Sequence, residues 1–191
     1  MAHGIPSSIA CFKHISRVWL VIDEGIPCAI RYPNGCENDR VHSEFYSDNG
    51  ITEISARSNF NRTAVLDTVI VTHGRMAIEA LIACDRLKEQ GKRVGVILLE
   101  MLKPYDVCAD NVVKLLPDSQ CGVILLEEEI RSGGMGMNLR DKLEQYDAMK
   151  NKRVCIMAVD DSFVTDRKKG ECIHASARVD AENICAQSMN L

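Results

Sequence analysis

No two of the nine cysteines stand at Cys-x-x-Cys spacing. That removes the usual zinc ribbons and dithiol redox motifs. No apolar run approaches the length of a membrane span. There is no basic stripe, no RNA-binding motif and no zinc finger. A net charge of -4 and a pI near 5.7 argue against non-specific binding to nucleic acid or to an anionic membrane. No internal repeat or low-complexity tract interrupts the chain. The N-terminus shows no basic region followed by a long apolar one, so a cytoplasmic protein with reduced thiols is expected. Several cysteines sit inside apolar segments, where cysteine acts as a small hydrophobe. Neither a P-loop ending nor the dinucleotide glycine spacing is present, and no nucleophile-base pair is visible.

What is present is centred on Cys121 to Gly136. The unbroken apolar run Val123 to Leu126 reads as a strand covered on both faces. Glu127, Glu128 and Glu129 follow at once, and the chain is expected to reach water there. Ser132-Gly133-Gly134-Met135-Gly136 then turns into a helix carrying Leu139, Leu143 and Tyr146. Such strand ends are where α/β folds usually place ligand or partner contacts. Glycines between a strand and a helix also serve the turn alone, and three carboxylates would repel a phosphate, so a structural turn is the expected role. A catalytic pair among the three glutamates is disfavoured, because adjacent residues on an extended chain face opposite ways. They are expected to pair with Arg131 or to meet a neighbouring domain.

Taken in order, residues 1–35 hold a helical stripe, Ile9, Phe12, Ile15, Trp19 and Ile22, and a short strand, Pro27 to Tyr32. Residues 36–66 are polar and weakly patterned and read as a linker; Ile51 to Ser55 alternates as an edge strand would. The main domain is expected over 67–191. Thr68 to Thr72 reads as a buried strand turned by His73-Gly74-Arg75 into a helix. Ala77, Ala80, Leu81, Cys84 and Leu87 would be buried there, with Glu79, Asp85, Arg86, Lys88 and Glu89 in water. Gly91 sits where a C-cap glycine belongs. Further strands are expected at Val94–Leu99 and Val154–Val159, a short helix carrying Val112, Val113, Leu115 and Leu116, and a final helical region from Glu171 to Ser188. Alternation of strand and helix over 67–160 implies an α/β fold with a parallel sheet between helical layers. His73, at a strand end, is the one histidine placed for a functional role, beside a capping or surface one.

Several segments together resemble the C-terminal part of the transketolase family. They are Arg31-Tyr32-Pro33-Asn34-Gly35, Thr68 through His73-Gly74-Arg75-Met76, Lys103-Pro104-Tyr105-Asp106, Glu127 to Gly136, and Asp160-Asp161-Ser162-Phe163-Val164. Arg-Tyr-Pro-x-Gly and the closing Val179 to Ile184 are most similar to the 1-deoxy-D-xylulose-5-phosphate synthases. The resemblance implies a three-layer α/β domain over 67–191, with a mostly parallel five-stranded sheet and one antiparallel edge strand. Residues 1–35 would then be the last helix and strand of an upstream pyrimidine-binding domain.

Family enzymes of that kind join pyruvate to glyceraldehyde 3-phosphate through thiamine diphosphate and magnesium, at the entry to isoprenoid precursors. The resemblance places the cofactor, the Gly-Asp-Gly metal motif and the activating glutamate in upstream domains. This chain is therefore expected to carry no catalytic, cofactor or metal residue of its own and to be inactive alone. Its expected partners are those domains or a separate subunit, in a homo-oligomer. Arg31 and Asn34 fall at the substrate-phosphate position. Asn34 departs from the arginine typical there and cannot make a bidentate charged contact. His73, Glu127, Glu128, Glu129, Arg131, Gly133 and Gly134 would line a strand-end loop or interface. The β subunit of a 2-oxoacid dehydrogenase, a split transketolase, a free-standing small-anion module and a small complete enzyme remain as alternatives.

Overall fold

The computed structural model describes residues 38–46, 56–161 and 174–191. The expected helix and strand of residues 1–35, including Arg31 and Asn34, and the expected edge strand at Ile51 to Ser55 lie outside the described residues.

Three consecutive apolar runs form the centre of the sheet. These are β2 (Thr68–His73), β3 (Val94–Leu99) and β4 (Gly122–Ile130). All six residues of β3 are buried, as expected for a strand covered on both faces. With β1 (Ala56–Ser58) and β5 (Val154–Val159) they make a five-stranded sheet in the order β1-β3-β2-β4-β5. Every pairing is parallel except that of β1 with β3. The expected fold class is thus observed.

Side-chain alternation divides the core into two layers. Val69, Val71, Val123 and Leu125 pack with α3 (Tyr105–Leu115) and α4 (Met135–Leu143). Ile70, Ile124 and Leu126 pack with α1 (Asp39–Phe45), α2 (Met76–Glu89) and α5 (Ala181–Met189). Helix α2 buries Ala77, Ala80, Leu81, Cys84 and Leu87 as its spacing predicts. Gly91, at φ 78°, ends it: its N–H donates to Lys88 and that of Lys92 to Leu87, which is a Schellman stop. Among the described residues no helix is long and apolar enough to cross a membrane.

The polar stretch read as a linker contributes α1 and β1 to the domain itself. Phe45 is 6% exposed and packs in the α2 layer. Arg40 pairs with Asp85 at 2.8 Å and donates to the Leu81 carbonyl. Arg57 and Glu100 form an inward ion pair at 2.8 Å, and Arg57 also reaches the Phe45 carbonyl. Paired arginines, Phe45, Val41 and Tyr46 hold these elements, and one i, i+4 apolar pair in a polar stretch is too short a pattern to signal a helix. The final helical region is likewise two pieces. Residues 174–176 are helical, Arg178 turns at φ 58°, and Asp180 then caps α5 by accepting from Asn183 N.

Candidate functional site

Strands β2 and β4 run side by side in parallel, with Thr72 opposite Leu126. Their C-terminal ends therefore emerge together, His73 beside the three glutamates. The pairing of β4 with β5 shifts register between Leu126 and Ile130, an irregularity of the kind common next to functional sites. Glu127 and Glu129 are two residues apart, so they share a face although neighbours do not. With His73 they place ligand atoms within 4.8 Å of one another. His73 Nε2 lies 3.2 Å from Glu129 Oε2. The grouping lies in the i, i+2 pair Glu127 and Glu129, not in adjacent carboxylates, and so is not visible from adjacency.

Glu127 overturns the expectation that the acidic run reaches water, for it is 0% exposed. Its carboxylate accepts from Met135 N at 2.6 Å and Gly136 N at 2.9 Å, the open amides at the start of α4. Burial raises its pKa above the ordinary glutamate value, and these two amides offset part of that rise. The glycines are explained by the same contact. A Cβ on Gly134 would lie 2.6 Å from the Ile130 carbonyl and 2.7 Å from each Glu127 oxygen. One on Gly136 would lie 2.7 Å from Ile156 and 2.9 Å from Glu127. Gly133 turns at φ 73°.

The opposite face carries a second cluster. Glu128 Oε2 meets Arg75 at 3.2 Å and His174 Nε2 at 3.5 Å. His174 Nδ1 lies 3.5 Å from Glu79, which also accepts from Ala181 N at 2.9 Å. Glu79, expected in water, instead ties α5 to α2. Arg131 is exposed, and its backbone N–H donates to Val159 rather than its side chain to the glutamates. Ser132 bonds to Asp161, closing the loop after β4 against the end of β5. Tyr105, at the start of α3, belongs to a segment that carries the family resemblance but is not among the expected site residues. Its phenol pKa is raised chiefly by burial, with the charges of Glu127, Cys108 and Glu129 adding to the rise. The motif Lys103 to Asp106 was its available signal.

The chemistry of this site can be bounded. His73, Glu127 and Glu129 have the composition of a cation site, yet both Glu127 oxygens are already hydrogen-bonded to amides. A diphosphate does not fit here. The α4 amides that would receive it are held by Glu127, and Glu128 and Glu129 add negative charge beside them. The site instead locks loops: Glu127 to α4, Glu128 to the α2 start, and Ser132 to Asp161.

A mixed five-stranded sheet between two helical layers, with strand-end acids fixing the following loops, defines an α/β domain of a recognised kind. The family profile "Transketolase, C-terminal domain" matches residues 62–184, and the chain belongs to that family. Its curated relatives are 1-deoxy-D-xylulose-5-phosphate synthases. That of Aquifex aeolicus is 28% identical over 185 residues, 94% of this chain and 28% of its own length. That of Listeria welshimeri is 30% identical over 118 residues, covering 62% of this chain and 17% of its own. The chain thus spans less than a third of these relatives. Among solved structures, one titled "Split gene transketolase, inactive beta4 tetramer" shares the fold, with a TM-score of 0.53 at 22% identity. The match covers 67% of this chain and 40% of that one.

Proposed function

We propose that this chain is the C-terminal assembly domain of a thiamine diphosphate-dependent transferase. The parent resembles 1-deoxy-D-xylulose-5-phosphate synthase and acts in the cytoplasm on pyruvate and glyceraldehyde 3-phosphate toward isoprenoid precursors. On this reading residues 1–35 belong to an upstream pyrimidine-binding domain. Thiamine diphosphate and magnesium are held by upstream domains, and the chain is inactive alone and works within a homo-oligomer. When bound, the cofactor supplies the carbanion chemistry; this chain contributes a rigid, loop-locked strand-end surface.

The observation that carries the reading is the Glu127 lock. The strand-end carboxylate that sequence alone would offer to a ligand is spent on the two first amides of α4. The free-standing anion module is disfavoured by the same fact, since a bound anion would compete with Glu127 for those amides. A domain exchange tests the proposal. Residues 38–191 would replace the matching C-terminal part of the Aquifex aeolicus synthase. The hybrid should fold, assemble to the oligomeric state of its parent and bind thiamine diphosphate. A folded hybrid that stays dissociated would overturn the assembly role.

A further inference from the structure

The two edges of the sheet are built differently. Strand β1 is three residues long and carries Arg57, a short charged strand of the sort that resists further pairing. Strand β5, at the other end of the sheet order, is Val154-Cys155-Ile156-Met157-Ala158-Val159. It has no charge, no proline and no glycine. Among the described residues no strand pairs with its outer side. An open groove of about 830 Å³ runs along it, lined also by Asn183 and Gln187 of α5 and by Asn190 just after it. A six-residue apolar edge of this kind is a template for another strand.

The flanking charges indicate which strand. Lys152 and Arg153 precede β5, and Asp160 and Asp161 follow it. Strand β5 is thus basic at its start and acidic at its end. A copy laid antiparallel beside it brings the basic start of each strand to the acidic end of the other, twice, about a two-fold axis through the strand centre. A parallel neighbour of the same sequence would set like charges together, which is unfavourable. Lys152 is partly spent on the Pro117 and Ser119 carbonyls, and Asp161 on Ser132. Arg153 and Asp160 are both exposed and carry the complementarity. Arg153 reaches the Asn190 carbonyl at 3.2 Å and so stands at the mouth of the groove.

We infer that β5 is a self-association edge, pairing antiparallel with β5 of a second copy of this chain and joining two sheets into one. An isologous contact of this type closes on itself and gives a dimer rather than a fibre. The inference rests on the assembly reading above and names its surface; association through another surface would sink it while leaving that reading intact.

The full chain should be examined by sedimentation over a range of concentrations, with Arg153→Glu, Asp160→Arg and the double exchange. Wild type should dimerise. Each single reversal sets like charges together at both ends and should weaken the dimer at least about tenfold. The double exchange should restore it. A dimer indifferent to both reversals, or a wild type that stays monomeric, overturns the proposal. Hydrogen exchange of Val154–Val159 guards against an unfolded variant. Protection should rise with wild-type concentration. Protection independent of concentration would mean that the edge is covered within a single copy, and the proposal fails.

Discussion

At the scale of single residues, Glu127 is the most informative group. Glu127→Ala would leave the Met135 and Gly136 amides without their acceptor in a buried setting. A buried donor without a partner costs about 1–3 kcal/mol, and a loss of at least that size is expected in urea denaturation. An unchanged midpoint would show that the carboxylate is not what fixes α4. The pH dependence has a definite sign. Burial raises the Glu127 pKa in the folded state, so the folded protein holds its proton more tightly than the unfolded chain. Its contribution is fully present below the ordinary glutamate pKa and is lost as pH rises through the raised folded value. Glu127→Gln has no such proton. Wild type should therefore lose ground against Glu127→Gln as pH rises through that window, and a pH-independent difference would contradict the account. Gly134→Ala should cost about 1–3 kcal/mol through overpacking against Ile130 and Glu127. The thiols offer another check. Cys84, Cys108, Cys121, Cys155 and Cys185 are free, and burial pushes Cys84 up to about 12 and Cys108 to about 11. In native protein the half-buried Cys155 and Cys185 should react with a thiol reagent well before Cys84 and Cys108. Rapid labelling of Cys84 would show that α2 opens readily.

Among the elements, α1 and β1 move the structural start of the domain upstream of Asp67. A chain beginning at Asp67 uncovers the β3 edge and removes Phe45 and Ala56 from the core. Burial of a Phe side chain alone is worth about 1.5–3 kcal/mol. A chain beginning at Cys36 should melt as the full chain does, and one beginning at Asp67 clearly lower. Equal melting of the two would return α1 and β1 to the status of a linker. Asp180→Ala, which removes the cap of α5, should cost about 0.5–2 kcal/mol. These are also the places where the sequence was hard to read. The strands β2, β3 and β5 and helix α2 declare themselves through apolar runs and helical spacing, because burial alone decides them. Helix α1 is a single short helix whose apolar contacts are Val41 and Phe45 at i, i+4, with Arg40 paired outward, too brief a pattern to stand out in a polar stretch. The break at Arg178 depends on a left-handed turn that residue type does not announce. In the site, His73 and the glycine turn were legible from strand ends and spacing. The Glu127 lock was not, since a carboxylate is buried only when the chain brings amides to it. Glu79 was misplaced for the same reason, as its partners His174 and Ala181 lie about a hundred residues away.

The whole molecule is built on a well-buried mixed sheet between two helical layers. Its family is that of the transketolase C-terminal domain, and the curated relatives it matches are more than three times its length. On the proposed reading this domain contributes position and contact, and thiamine diphosphate is held by other domains. The strand-end acids hold loops, with Glu127 accepting from the Met135 and Gly136 amides at the start of α4. On that proposal association and cofactor binding should separate: the chain should assemble through its own surfaces and should not take up the cofactor. Calorimetry of the purified full chain with magnesium and thiamine diphosphate tests this most directly. The account predicts no saturable heat and no product from pyruvate and glyceraldehyde 3-phosphate. Saturable binding with a dissociation constant on the order of micromolar, about -8 kcal/mol, would contradict it.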